Sequence, residues 1–180
     1  MKTYKTLAGI GALAIAAFAT ITIMKNSSAN PEEDGFIGRS EITVENGHMT
    51  PEVLLAFGRL SDPQVSPDGK HILYGVSYTS VADNRSVRNL YICNLDGSDE
   101  QLLTQSGKSI SNARWSADGK HIAFLKGGQI WTAEIDLKAG KWSLGEMVQM
   151  TYVPAGVGEF KLSPDQKKVM YISYIRSSVV

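Results

Sequence analysis

The sequence predicts an all-β fold of short antiparallel strands, preceded by an apolar leader and one short helix. Three observations predict it. A nine-residue motif recurs at Ser66–Tyr74 (SPDGKHILY), Ser116–Phe124 (SADGKHIAF) and Ser163–Tyr171 (SPDQKKVMY), with starts 50 and 47 residues apart. Each copy joins a tight-turn signal to a continuous apolar run. Seventeen glycines and six prolines suit a turn-rich chain.

Composition narrows the function classes. The 180 residues are 43% hydrophobic and 20% charged, with a mean hydropathy of −0.11, as expected for one globular domain. Eighteen basic residues balance eighteen acidic ones, so no positive field draws nucleic acid. The single cysteine, Cys93, excludes an intrachain disulfide and any multi-cysteine metal site. It lies in the apolar stretch LYICNL and reads as a small buried hydrophobe.

Residues 1–29 read as an address. Lys2 and Lys5 precede an uncharged run from Leu7 to Met24, Lys25 ends it, and Ser27 and Ala29 make a small-residue cleavage site. A signal peptide is expected, hence an exported protein, periplasmic or secreted. Left uncleaved, residues 7–24 would anchor the chain, which is the only membrane contact foreseen. The remaining 151 residues carry 15 basic and 18 acidic side chains.

Residues 30–48 form a polar N-terminal arm, in which Glu41-Ile42-Thr43-Val44 could pair as a short edge strand. A short helix is expected over 49–62. Thr50 suits its N-cap, Pro51 its first turn, and Val53, Leu54, Leu55, Phe57 and Leu60 its apolar face. Asp62-Pro63 closes it.

The repeat covers 63–180, with units near 63–105, 113–151 and 160–180. Short runs enter each turn at Pro63-Gln64-Val65, Ala113-Arg114-Trp115 and Phe160-Lys161-Leu162. The turns use Ser66, Pro67, Asp68 and Gly69, then Ser116, Asp118 and Gly119, then Ser163, Pro164 and Asp165. Proline presets φ, aspartate bonds nearby N–H groups, and glycine takes φ > 0. Gln166 replaces that glycine in the third copy, which puts its turn geometry in question. The runs that leave the turns do not alternate, as in strands buried on both faces. Asn89–Leu95 and Gln129–Ile135 read as third strands, and Gln101–Thr104 and Met147–Thr151 as fourth strands. A period of this length fits four-stranded blades, so the predicted architecture is an incomplete β-propeller of about two and a half antiparallel blades. Since closed propellers have four to eight blades, the chain reads as a fragment or truncated product.

The stretch TPEVLL followed by RLSDPQVSPDGK from Arg59 to Lys70, with WSADGKHIAF from Trp115, resembles the propeller start of secreted serine peptidases of the prolyl oligopeptidase family. The dipeptidyl-peptidase and acylaminoacyl-peptidase branches are the most similar. The resemblance implies a propeller that caps an α/β-hydrolase domain and admits short peptides. The implied partners are therefore further C-terminal blades, that hydrolase domain and short peptides. The catalytic serine of the family sits in a G-x-S-x-G elbow, and no such string occurs here; Gly107-Lys108-Ser109-Ile110-Ser111 lacks the second glycine. No catalytic residue, cofactor or metal ligand is assigned, and the chain alone is expected to be inactive. The alternative is a TolB-like periplasmic propeller acting as a protein-binding scaffold.

Other residues read as structural. His71 and His121 share one repeat position, and Asp68, Asp118 and Asp165 are turn residues without converging oxygens for calcium. Trp115, Trp131, Tyr74, Phe124 and Tyr171 are expected to pack the core. Asn84-Arg85-Ser86 matches a glycosylation sequon. Ser77–Arg88 reads as a long polar loop that could face a substrate cavity through Arg85 and Arg88.

Overall fold

The computed structural model describes residues 35–174, apart from 43, 45 and 46. The leader and the first arm residues lie outside this range. Glu41, Ile42 and Val44 belong to no strand, so the expected edge strand does not form among the described residues.

Helix α1 spans Pro51–Ala56. Thr50 caps it in an extended conformation, its hydroxyl accepting the Val53 N–H at 3.3 Å. The helix is shorter than the expected 49–62. Phe57 turns extended, and Arg59–Val65 is strand β1, paired with β2 (His71–Ser80). Cross-strand pairing overrides the helical spacing, and Leu60 sits opposite Val76 instead of on a helix face. Only Val53 of the proposed apolar face is buried.

The first sheet has the order β1-β2-β3-β4, with β3 at Arg85–Asn94 and β4 at Gln101–Leu102. The expected loop Ser77–Arg88 is a correction. The β2–β3 ladder continues to Ser80↔Arg85, leaving only four residues in the turn. The fourth strand is also shorter than Gln101–Thr104.

The second sheet contains β5 (Ile110–Trp115), β6 (His121–Lys126), β7 (Gln129–Lys138), β8 (Lys141–Leu144) and β9 (Val148–Gln149). Strand β7 runs past the predicted Ile135 and pairs with two partners. Its first half meets β9, and its second half meets β8. The stretch through Gly140, Lys141 and Gly145 reads in the sequence as a polar hairpin, and β7 and β8 form it, pairing from Lys138↔Lys141 to Ile135↔Leu144. The third sheet consists of β10 (Glu159–Leu162) and β11 (Val169–Ile172).

Both larger sheets close with the same amide clamp. Asn89 Oδ1 accepts from Thr104 Oγ1 (2.9 Å) and the Ser106 N–H (2.8 Å), while Thr104 Oγ1 accepts the Leu90 N–H (2.9 Å). One unit later Gln129 Oε1 accepts from Thr151 Oγ1 (2.9 Å) and the Val153 N–H (2.9 Å), and Thr151 Oγ1 accepts the Ile130 N–H (2.9 Å). The side chain thus pairs backbone where the fourth strand departs, so the chain leaves without buried orphan donors.

The sheets stack face on face. Leu73, Leu90, Ile92 and Leu103 of the first pack on Ile110, Ile122, Phe124 and Ala133 of the second. The opposite face of the second, through Leu125 and Ile130, packs on Val157 and Phe160. The outer face of the first sheet carries Tyr74, Val76 and Cys93, with Ile72, Tyr78 and Tyr91 beside them. Strand β11 does not share this burial. Tyr171, expected in the core, is 44% exposed, and Met170 is 68% exposed.

Candidate functional site

The three repeat turns are built alike. Ser66 Oγ donates to Asp68 Oδ1 at 2.5 Å, Asp68 Oδ1 accepts the Lys70 N–H at 3.1 Å, and Ser66 Oγ accepts the His71 N–H at 3.0 Å. Ser116, Asp118, Lys120 and His121 repeat the pattern at 2.5, 3.0 and 2.9 Å. Ser163, Asp165, Lys167 and Lys168 repeat it at 2.6, 3.2 and 3.0 Å. In each turn the Ser hydroxyl, then the backbone N–H, holds the carboxyl below the usual range.

Gln166 adopts φ 56°, close to the 73° and 69° of Gly69 and Gly119. Its N–H reaches the Ser163 carbonyl at 2.8 Å, as those of Gly69 and Gly119 reach Ser66 and Ser116. The third turn therefore keeps its geometry, at the steric cost of a Cβ in the left-handed region.

Ser116, Asp118 and His121 resemble a hydrolytic trio in composition only. The serine proton points at the carboxylate, and the histidine contributes its backbone N–H, not its ring. Nucleophilic activation needs the imidazole against the hydroxyl, with the carboxylate behind the imidazole. This geometry holds a turn. Ser109 is equally committed, its hydroxyl accepting the Arg88 N–H at 3.1 Å.

The two equivalent histidines differ in surroundings. His71 meets the Trp142 ring edge-on at 4.8 Å, and Trp115 meets the same ring at 6.2 Å. His121 is exposed. Strand β8 carries Trp142 across to the first sheet and is fastened there. Gln101 Oε1 accepts the Trp142 N–H at 2.9 Å, and Gln101 Nε2 donates to the Gly140 carbonyl at 3.0 Å. Among the described residues no group of three His, Cys, Asp or Glu could hold a metal ion.

Two further features were not foreseen from the sequence. Asp62 and Asn112 both take positive φ, 57° and 51°, at equivalent bulges in β1 and β5. Asp62 Oδ2 accepts the Asn112 N–H at 3.2 Å, and Asn112 Nδ2 donates to the Phe160 carbonyl at 3.1 Å. The bulge residue of one sheet thus binds the backbone of the next. The signal was present as Ser-Asp and Ser-Asn at one offset before the first two motif copies, because Asp and Asn tolerate the left-handed region. Arg85 was read as facing a cavity. Its guanidinium instead donates to the carbonyls of Gly35 and Gly107, tying the arm to the first sheet.

The outer face of the first sheet carries a groove of about 1010 Å³ between the arm, α1 and the sheet. Tyr74, Tyr78 and Val76 form its floor, Leu60 and Phe57 its apolar wall, and Glu100 lies at its end. Tyr74 donates its hydroxyl proton to Glu100, and its ring stacks on Tyr91 at 6.0 Å. Burial first, then Tyr78, pushes the Tyr91 phenol up to about 12. Cys93 is 7% exposed, and burial pushes its thiol up, away from reactivity.

No protein-family model matches the chain. It is 33% identical over 134 residues to dipeptidyl-peptidase 5 of Porphyromonas endodontalis, covering 74% of this chain and 19% of that protein. It is 34% identical over 147 residues to dipeptidyl-peptidase 5 of Porphyromonas gingivalis, covering 78% and 21%. The chain thus spans about a fifth of the length of the curated relatives it matches. Among solved structures it is similar to Pyrococcus horikoshii acylaminoacyl peptidase, with a TM-score of 0.52 and 21% identity, covering 69% of this chain and 19% of that one. The chain is thus similar in sequence to part of each of the two dipeptidyl-peptidases and shares its fold with part of an acylaminoacyl peptidase.

Proposed function

We propose that the chain is the non-catalytic N-terminal propeller segment of an exported serine peptidase that cleaves short peptides. In this reading the three sheets are successive blades, and further blades and an α/β-hydrolase domain complete the enzyme. The propeller restricts access to the catalytic centre by size. The observation that carries the reading is the sequence likeness to two dipeptidyl-peptidases over about three quarters of a chain that folds as face-stacked sheets. The turn geometry agrees with it, because the Ser and Asp side chains there bond within the turn and the His residues contribute their backbone N–H.

The coding sequence downstream of Val180 tests this. A G-x-S-x-G followed by Asp and His, and hydrolysis of dipeptidyl chromogenic substrates by the extended protein but not by the 180-residue chain, is the expected result. Turnover by the 180-residue chain would overturn the non-catalytic assignment. Further blades followed by a stop codon would replace the peptidase with the scaffold.

A further inference from the structure

One end of the first sheet carries a cation that nothing in the described chain pairs with. Directly opposed residues of an antiparallel pair share a face. Arg59, Ser77 and Arg88 therefore form one row across β1, β2 and β3, and Ser61, Gly75 and Leu90 form the next. Leu90 packs on the second sheet, and Arg88, two residues before it, lies on the same face. A Cβ on Gly75 would stand 2.8 Å from Arg88 Cδ and 3.6 Å from Ser61 Oγ. The glycine is thus a cradle in which the Arg88 stem crosses β2 toward β1, and Arg88 is half-buried there.

Among the described residues the Arg88 guanidinium has no ion pair and no hydrogen bond. The carboxylates around the first sheet are engaged elsewhere: Asp62 with Asn112 and Arg114, Asp83 with Ser80, and Glu100 with Tyr74. Arg85 and Arg114, by contrast, donate to backbone carbonyls. A partly desolvated guanidinium without a partner is costly, and its planar fork of N–H donors matches a carboxylate. Arg59 adds a second positive charge on the same row, its guanidinium donating to Thr79 Oγ1 at 3.5 Å.

The position of this row bears on function. Strand β1 begins at this end, the β2–β3 turn closes here, and the connection from β4 to β5 passes here. A unit of four antiparallel strands enters and leaves at one end. In the proposed enzyme, a domain joined after the last such unit therefore lies on the side of Arg88. Resting on that reading, we propose that Arg88 binds the C-terminal carboxylate of a short peptide, with Arg59 contributing to the field. Short peptides would then be selected by their free C-terminus as well as by size.

Binding to the 180-residue chain reads this without turnover. N-acetyl-alanyl-alanine and its C-terminal amide are titrated while the Arg88 Nε–H resonance is followed, assigned through Arg88→Gln. The acid should bind at least about tenfold tighter than the amide, corresponding to about 1.4 kcal/mol. Arg88→Gln should lose this difference and Arg88→Lys should keep part of it, with circular dichroism spectra unchanged. In the extended enzyme, Arg88→Gln should abolish the preference for a free-acid tetrapeptide over its amide by raising KM for the acid alone. Equal binding of acid and amide by the wild-type chain would overturn the proposal. So would an Arg88→Gln enzyme slowed equally on both substrates, the result expected if Arg88 pairs with the second domain. Acid-selective binding by the 180-residue chain, with no turnover by the extended protein, would uphold the Arg88 site and remove the peptidase reading.

Discussion

Asp62 and Asn112 stand one repeat apart and meet where the first two sheets join. The Asp62 carboxylate accepts the Asn112 N–H at 3.2 Å and lies 3.6 Å from the Arg114 guanidinium. A bulge that looks like a local defect is therefore the point where neighbouring units are tied. Asp62→Ala should lower stability by about 1–2 kcal/mol, since it strips the acceptor from a half-buried N–H. Asp62→Asn should cost less, because its amide oxygen can still accept. Equal urea midpoints for wild type and Asp62→Ala would show that the contact contributes nothing.

Gln166→Gly should stabilise the chain by about 0.5–1 kcal/mol. The substitution removes a Cβ from the left-handed region and leaves the turn's hydrogen bonds in place. Gly119→Ala should act in the opposite direction at the equivalent site. The two thermal midpoints should move apart, and movement in the same direction would contradict the strain argument.

Acid should weaken the three turns together. Asp68, Asp118 and Asp165 are held below their ordinary values in the folded chain, first by a Ser hydroxyl and then by a backbone N–H. Their contribution is present above the unfolded carboxylate value of about 3.9 and is lost as pH falls through the folded values. Ser116→Ala removes the larger cause for Asp118, so the urea midpoint of this variant should depend less on pH in the acid range. Parallel pH profiles would refute the coupling.

At the alkaline end, Tyr91 should ionise late. Its folded value of about 12 exceeds the ordinary value near 10, so the fold loses stability as pH rises from about 10 toward 12. Tyr91→Phe should remove a late step near pH 12 from the tyrosinate absorbance titration and leave the still later ionisation of Tyr74, which burial and Glu100 push up further. An unchanged curve would mean that the ring titrates with the others.

The latch between sheets should be separable from the sheets themselves. Gln101→Ala deletes both bonds to the β7–β8 turn and to β8. Amide exchange at residues 141–144 should accelerate about tenfold, corresponding to about 1.4 kcal/mol, with β6 unaffected. Uniform acceleration across the second sheet would show that β8 is not independently fastened.

The turns and central strands were legible because their signals are local. Ser-Pro-Asp-Gly carries its own hydrogen-bond partners, and the apolar runs through Leu73 and Phe124 need only burial. The helix end was misread because Leu60 keeps helical spacing, while its fate is decided by pairing with Val76. The Ser77–Arg88 stretch looked like a loop because its polar residues sit on strands that project beyond their neighbours. The polar hairpin through Gly140 and Lys141 is local and legible, while its fastening to Gln101, about forty positions earlier, leaves no mark in the sequence. Tyr171 shares the face of Phe160, which packs on the second sheet, but it stands on the edge strand of a two-stranded sheet and stays 44% exposed. Asp62 and Asn112 escaped notice because a left-handed residue within a strand has no signature beyond its type.

The β2–β3 hairpin ends in four exposed residues, Val81–Asn84, with its base fastened by the ladder up to Ser80↔Arg85 and by the Arg85 contacts to Gly35 and Gly107. Lengthening such a tip costs little, because closure entropy grows only slowly with added residues. The tip is thus a place for an epitope tag or fluorophore, displayed on a stiff two-stranded stalk beside the arm and α1.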